Sequence, residues 1–301
     1  MRVLIYGAGA VGGYFGARLQ EGGADATFVA RGNQLAALRT HGIRLDSVNG
    51  AYKAPVRAVP RLADAPPADL VLLCVKGHDL RAATIDLAAN LGPDAVVMPL
   101  MNGVGHLDTL REALGAGRVI AATVFIGARV AEPGVIRHSA AGFVRAGRDP
   151  DGVDPVVTRV VDFLDAHGMN ITTSRTIRLD MWKKLLWNVG FNGPSALTGA
   201  TVGAMTPLPG IAWLIRGLIA EAVRAGQAEG MALDDALVEK TCAQTQGLDD
   251  FKTSMLQDVE AGRPIENEPF YGYLLTLAGR HHIALPLTRM LHDALALRFP
   301  A

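Results

Sequence analysis

The stretch Arg2-Val3-Leu4-Ile5-Tyr6-Gly7-Ala8-Gly9-Ala10-Val11-Gly12 decides how the chain is read. An apolar run stops abruptly at a G-x-G-x-x-G loop, and a helical pattern follows from Ala10 to Glu21. The first glycine of such a loop permits a tight turn. The second lets the backbone approach a pyrophosphate, and the third lets helix and strand pack closely, with the helix N-terminus attracting the anion. A lone match of this kind is weak, but here it opens an alternating β/α pattern, the context that the motif demands. Gly7, Gly9, Ala10, Val11 and Gly12 are therefore expected to hold a dinucleotide.

Working outward, Thr27–Ala30, Asp69–Val75 and Ala95–Leu100 read as further strands, with helical patterns at His78–Asn90 and Gly105–Leu114. Continuous apolar strands separated by helices predict a parallel sheet covered on both faces. Val119–Val130 and Val135–Val144 are joined by Glu132-Pro133-Gly134 and predict an antiparallel pair that extends this sheet. Val153–His167 reads as a helix and Asn170–Thr173 as a short strand. Beyond Thr173 only helical periodicity remains, at Ile177–Phe191, Leu208–Met231, Asp234–Gln246, Pro269–His282 and Pro286–Arg298. The expected fold class is α/β: a Rossmann-type domain over residues 1–173, then an all-α domain over 174–301.

Composition narrows the function. The 301 residues are 50% hydrophobic and carry 29 basic against 29 acidic side chains. Such a chain is neither disordered nor basic enough for a nucleic-acid binder. Its length suits two domains at about 150 residues each. Cys74 and Cys242 stand far apart, which implies no disulfide framework and no zinc cluster, and points to a reducing compartment. Val119–Ala128, among the longest apolar stretches, falls short of the roughly 18 residues of a spanning helix, and the first apolar run is too short for a signal peptide. A soluble, cytoplasmic protein is expected. The eight histidines show no H-E-x-x-H spacing, and no G-x-S-x-G elbow occurs, so metal-site and hydrolase readings are poor.

The strand ends carry the next signals. In the NAD version of the loop an acidic residue about 20 positions downstream binds the ribose 2′-hydroxyl. Here that region reads Phe28-Val29-Ala30-Arg31-Gly32-Asn33-Gln34, with Arg31 where a carboxylate would stand. A guanidinium suits a 2′-phosphate, so NADP is favoured; the competing reading is a solvated arginine at a helix start. Lys76 and Asn102 put polar groups at the ends of the third and fourth strands, on the edge where open parallel sheets bind ligands. Ordinary polar turns would look the same.

In the helical half, Lys184, Asn188 and Asn192 are spaced i, i+4, i+8 and drift roughly 80° in all, so they share one face among Trp, Leu and Phe residues. Polar groups in such company are costly unless hydrogen-bonded or turned to a ligand, though a lysine can also snorkel to water. A later polar cluster, Ser254-Met255-Leu256-Gln257-Asp258 followed by Arg263-Pro264-Ile265-Glu266, reads from spacing alone as a helix end and a capped loop.

Together these blocks resemble the ketopantoate reductase (2-dehydropantoate 2-reductase) family over essentially the whole chain. They are the glycine loop, Val75-Lys76, Asn102-Gly103-Val104-Gly105, Trp182-Lys183-Lys184-Leu185 with Asn188 and Asn192, and Ser254 to Asp258 with Glu266. The resemblance implies a Rossmann domain, a helical domain and an active site in the cleft between them. It further implies NADPH-dependent reduction of a small 2-keto acid, 2-dehydropantoate, to pantoate, a step of pantothenate biosynthesis. Lys184 matches the family's catalytic lysine and Glu266 its essential glutamate. Asn102, Asn188, Asn192 and Ser254 match substrate-contacting positions, Asn102 being expected at the cofactor as well, Lys76 a lysine near cofactor and substrate, and Arg31 the residue that meets the 2′-phosphate. Two stretches depart from the better-known reductases: Gly193-Pro194-Ser195 replaces Pro-Leu-Thr after Asn192, and Met101 stands where glutamine is frequent. A paralogue acting on another 2-keto or 3-hydroxy acid, and a non-catalytic NADP-binding sensor, are the alternative readings. No nucleic-acid or membrane partner is expected; a homodimer is compatible with the sequence, which is silent on oligomeric state.

Overall fold

Ten strands and twelve α-helices are present among the described residues. The computed structural model describes residues 1–150 and 152–300. The chain divides into two compact units, one of Met1–Asn102 with His106–Arg178, the other of Gly103–Gly105 with the chain from Leu179 onward.

In the first unit the elements run β1 (Arg2–Tyr6), α1 (Ala10–Glu21), β2 (Asp25–Val29), α2 (Gly32–His41), β3 (Ile43–Ser47), β4 (Tyr52–Ala54), β5 (Arg57–Val59), β6 (Leu70–Leu73), α3 (Leu80–Asn90), β7 (Val96–Pro99), α4 (His106–Leu114), β8 (Ala121–Glu132), β9 (Val135–Gly147), α5 (Pro155–Ala166) and β10 (Ile171–Thr173). A parallel sheet has the order β5-β2-β1-β6-β7. Strand order reverses direction at β1, and a crevice at such a switch point, outside the carboxyl ends of the strands, is where doubly wound sheets take ligands. The central strands have apolar middles, as burial on both faces requires: Val3, Leu4, Ile5, Leu70, Val71, Leu72, Leu73, Val97 and Met98 are all buried.

The antiparallel pair departs from expectation. β8 and β9 do pair antiparallel, but they do not extend the parallel sheet. The chain pairs with β7 at the bridge of Val119 to Val97 and then diverges. The pair instead belongs to a second sheet in which one edge of β9 is shared, β3 lying along Val135–His138 and β10 along Val144–Ala146. The partners change at Ala141 and Gly142, which both take positive φ (57° and 103°) beside a bulge. The physical reason lies in α1. Its residues Gly12 to Leu19 are all buried, so both faces need cover. Gly16 faces Phe28 of β2 and Gly13 faces Ile136 of β9, too closely for a Cβ at either position. The helix is held between the two sheets.

The second unit is helical, as read from the sequence. The division between units falls in the first turn of α6 (Ile177–Thr198), followed by α7 (Val202–Met205), α8 (Pro209–Ala228), α9 (Ala236–Ala243), α10 (Ser254–Glu260), α11 (Tyr273–His281) and α12 (Pro286–Arg298). A π-helical turn, Glu268–Gly272, runs directly into α11. Trp182, Leu185, Leu186, Val189 and Phe191 of α6 are buried, with Ile215, Leu218, Ile219, Ala222 and Val223 of α8. Glycines let the two helices meet: Gly190 faces Ile219, and a Cβ on Gly226 would lie 3.0 Å from the Trp182 ring. α12 lacks a side-chain cap of its own. The buried Glu221 carboxylate of α8 supplies one, accepting from Leu287 N at 3.0 Å, Thr288 N at 2.8 Å and Thr288 Oγ1 at 2.7 Å.

Two expectations about elements need correction. The helix predicted to end at Phe191 continues through Pro194 to Thr198. The helix predicted from His78 begins as a tight 3₁₀ turn, Gly77–Asp79, before α3. α2, β3, β4, β5, α7 and α10 carry too little apolar periodicity to have been read.

Candidate active site

Each unit contributes one group of the expected site residues. In the first unit, four strand ends stand side by side in sheet order: Arg31 after β2, Gly7 after β1, Lys76 after β6 and Asn102 after β7. Gly7 has φ 101°, and a Cβ there would lie 2.7 Å from the Cys74 carbonyl oxygen, so the turn admits only glycine. A Cβ on Gly12 would overlap the Gly7 carbonyl and reach Cys74 and Ile5 at 3.0 Å, which is the close helix–strand packing asked of the third glycine. Gly9 is exposed, and a Cβ there would meet nothing within 4 Å. The loop thus presents open backbone at the N-terminus of a twelve-residue helix whose first turn holds no acidic residue and no side-chain cap. This is the electrostatic and steric setting a pyrophosphate needs, with Ala10 and Val11 in the first turn. The glycine loop therefore fits a dinucleotide.

Arg31 stands at the N-cap of α2. Its side chain is 76% exposed, and the guanidinium pairs with Asp79 at 2.9 Å, bridging the ends of β2 and β6. Sequence reasoning missed Asp79; an acidic residue three positions after Lys76 on the neighbouring strand end is the signal that could have found it. Beneath this edge the Tyr6 hydroxyl donates to Asp86 at 2.7 Å, and burial together with that carboxylate pushes its phenol well above the usual range. Lys76 sits at the start of the 3₁₀ turn, and Asn102 lies half-buried after the wholly buried Leu100 and Met101.

In the second unit α6 carries Lys184, Asn188 and Asn192 on one face. Part of the Lys184 side chain reaches the surface, but its ammonium is desolvated, and this lowers its pKa from 10.5 to about 8; Glu266 opposes the shift electrostatically. Lys184 and Glu266, 82 positions apart in sequence, are thereby brought into one electrostatic neighbourhood. Asn188 is buried, with no partner for its Nδ2. Asn192 is 1% exposed, and neither atom of its amide has a hydrogen-bond partner. Leaving a buried amide unmatched costs about 1–3 kcal/mol per group, so these two asparagines are a poor choice for stability and a good one for a ligand.

Ser254 stands exposed in the first turn of α10, and Thr253 is the residue that caps this helix. Glu266 is buried two residues ahead of the π-helical turn. Gly103 and Gly105 belong to this unit as well, Gly103 lying against the Pro269 carbonyl and Gly105 against the Tyr273 ring. The expected site residues of the helical half are thus grouped around α6 and the Glu266 segment, with Ser254 on a separate short helix. Among the described residues no cluster of His, Cys, Asp or Glu could hold a metal, and no helix is long and apolar enough to cross a membrane.

Comparison with known proteins covers both units. Residues 3–151 match the family model described as ketopantoate reductase PanE/ApbA, and residues 176–298 match the C-terminal model of the same family. The 2-dehydropantoate 2-reductase of Halobacterium salinarum is 31% identical over 302 residues, covering 99% of this chain and 98% of that protein. The enzyme of the same name from Mesorhizobium japonicum is 33% identical over 287 residues, covering 88% of each chain. The crystal structure of 2-dehydropantoate 2-reductase from Geobacter metallireducens superposes with a TM-score of 0.93 at 29% identity, covering 99% of this chain and 100% of that one.

Proposed function

This chain belongs to the ketopantoate reductase family of oxidoreductases, and we propose that it reduces 2-dehydropantoate to pantoate with NADPH, using Lys184 as the general acid. The observation that carries the reading is the group on α6: a lysine with its pKa lowered to about 8, beside a buried glutamate, one and two turns ahead of two buried amides with unmatched hydrogen-bonding atoms.

Reduction of a ketone to an alcohol adds a hydride to carbon and a proton to oxygen. The bound dinucleotide supplies the hydride. The rest falls to side chains. Lys184 as an ammonium donates a hydrogen bond to the ketone oxygen, stabilises the negative charge that develops there, and gives up its proton. A lysine tuned to about 8 releases that proton more readily than one at 10.5, and far more readily than an arginine. Glu266 keeps Lys184 charged until the reaction needs the proton. Asn188 and Asn192 bind substrate oxygens without adding charge, and Asn102 and Ser254 add further polar contacts. On the cofactor side the glycine loop takes the pyrophosphate, Arg31 the 2′-phosphate, and Lys76 lies beside them at the β6 end.

The test is oxidation of NADPH followed by absorbance, with 2-dehydropantoate and then with a panel of other 2-keto acids. Lys184→Ala is expected to lower turnover about 10²–10⁴-fold, the usual worth of a general acid, with NADPH affinity retained. Near wild-type turnover in that variant removes Lys184 from the chemistry. NADPH binding with no oxidation on any keto acid would instead identify a sensor.

A further inference from the structure

α6 runs through Pro194, and the way it does so involves a residue outside the assigned site. In a regular helix the Gly193 N–H would donate to the Val189 carbonyl, four residues back. Here the Tyr271 hydroxyl stands between them. Gly193 N donates to Tyr271 Oη at 2.9 Å, and Tyr271 Oη donates to the Val189 oxygen at 2.8 Å. One side-chain hydroxyl thus bonds both groups that this rung of the ladder pairs in a regular helix. The next position, Pro194, has no N–H to give to Gly190, so the helix is loosened at two successive positions. The hydroxyl is fully buried, and no side chain other than glycine fits at 193, where a Cβ would fall on Tyr271 Oη and within 2.7 Å of its ring.

The insertion brackets the two unmatched amides. Asn188 immediately precedes Val189, and Asn192 immediately precedes Gly193. Tyr271 belongs to the π-helical turn that begins two residues after Glu266. One hydroxyl therefore ties the stretch that carries both asparagines to the segment that carries the glutamate.

We propose that Tyr271 is a positioning residue for the keto-acid substrate: its hydroxyl, wedged into α6 between Val189 and Gly193, sets the angle between the Asn188 and Asn192 amides and their register with Glu266. This rests on the reading of Asn192 as a substrate contact. Without the wedge the ladder closes directly or stays unmatched, and in both cases Asn192 turns relative to Asn188. Displacements of about 1 Å in such groups are enough to cost a hundredfold.

The experiment is a double-variant cycle with Tyr271→Phe, which removes the hydroxyl and keeps the ring, and Asn192→Ala. For Tyr271→Phe the KM for 2-dehydropantoate is expected to rise about tenfold, with kcat changed much less, NADPH affinity unchanged, and faster hydrogen exchange at the Gly193 amide. Gly193→Ala, which pushes the hydroxyl out from the other side, is expected to act in the same direction. If Tyr271 works through Asn192, the double variant has the KM of Asn192→Ala alone. Multiplying effects overturn the proposal, because they mean that the hydroxyl acts on general stability. So does a Tyr271→Phe enzyme with wild-type KM beside an Asn192→Ala enzyme with a raised one. If Asn192→Ala leaves KM unchanged, the substrate contact itself is wrong and the positioning role falls with it.

Discussion

In the proposed role of general acid, Lys184 couples pH to activity in a definite direction. Its folded-state pKa lies at about 8, below the ordinary 10.5, chiefly because its ammonium is desolvated. An ammonium acid is lost as pH rises through that value, so kcat/KM for 2-dehydropantoate is expected to fall above about pH 8. Lys184→Arg should erase this inflection together with most of the activity. The linkage to stability has the opposite sense. Between about 8 and 10.5 the unfolded chain holds a proton that the folded chain has released, so Lys184's contribution to stability rises with pH across that window. Arg31 makes a second prediction at this scale. Its ion pair with Asp79 is largely exposed and contributes little to stability, so it is readily exchanged for a phosphate. Arg31→Ala should weaken NADPH about 10–100-fold while leaving NADH almost unaffected, as measured by fluorescence titration. An unchanged preference would refute the 2′-phosphate assignment. The spacing of Lys184, Asn188 and Asn192 could be read directly, because helical periodicity is local. Tyr271 could not: its partner Gly193 lies 78 positions away, and nothing near Tyr271 in the sequence hints at the contact.

Among the elements, α12 shows how a helix end can depend on a neighbour. The N-terminal amides of α12 are met by Glu221 of α8 instead of by a local cap. Glu221→Ala should cost about 3 kcal/mol in a urea melt, because buried donors lose a charged acceptor, with NADPH affinity unchanged. The same scale explains which parts of the fold were legible. β1, β6 and β7 are unbroken apolar runs and announce a buried parallel sheet. β4 and β5 have three residues each, too few to show any period. The place of β8 and β9 in a second sheet is set by α1, whose residues Gly12 to Leu19 are buried all round and so need a layer on each side. The helical periodicity of α6 fades at Phe191, yet the helix runs on through Pro194 to Thr198 with a hydroxyl from elsewhere in the chain bonded to Val189 and Gly193.

For the molecule as a whole, balanced charge is the property with measurable consequences. With 29 basic and 29 acidic side chains and an isoelectric point near 7.1, electrostatic repulsion between copies is least at neutral pH. Solubility measured against pH should pass through a minimum near 7 and recover by about 8.5. A minimum far from neutrality would show that local patches, not net charge, govern association.

The double cover over α1 also limits how the protein can change. A helix gripped on both sides, with glycines at 12, 13 and 16 that cannot accept a methyl group, has no room to be re-sequenced. Any drift in nucleotide choice, whether natural or engineered, is channelled outward to the rim, to positions such as 31 and 79, where side chains can be exchanged without disturbing the interior.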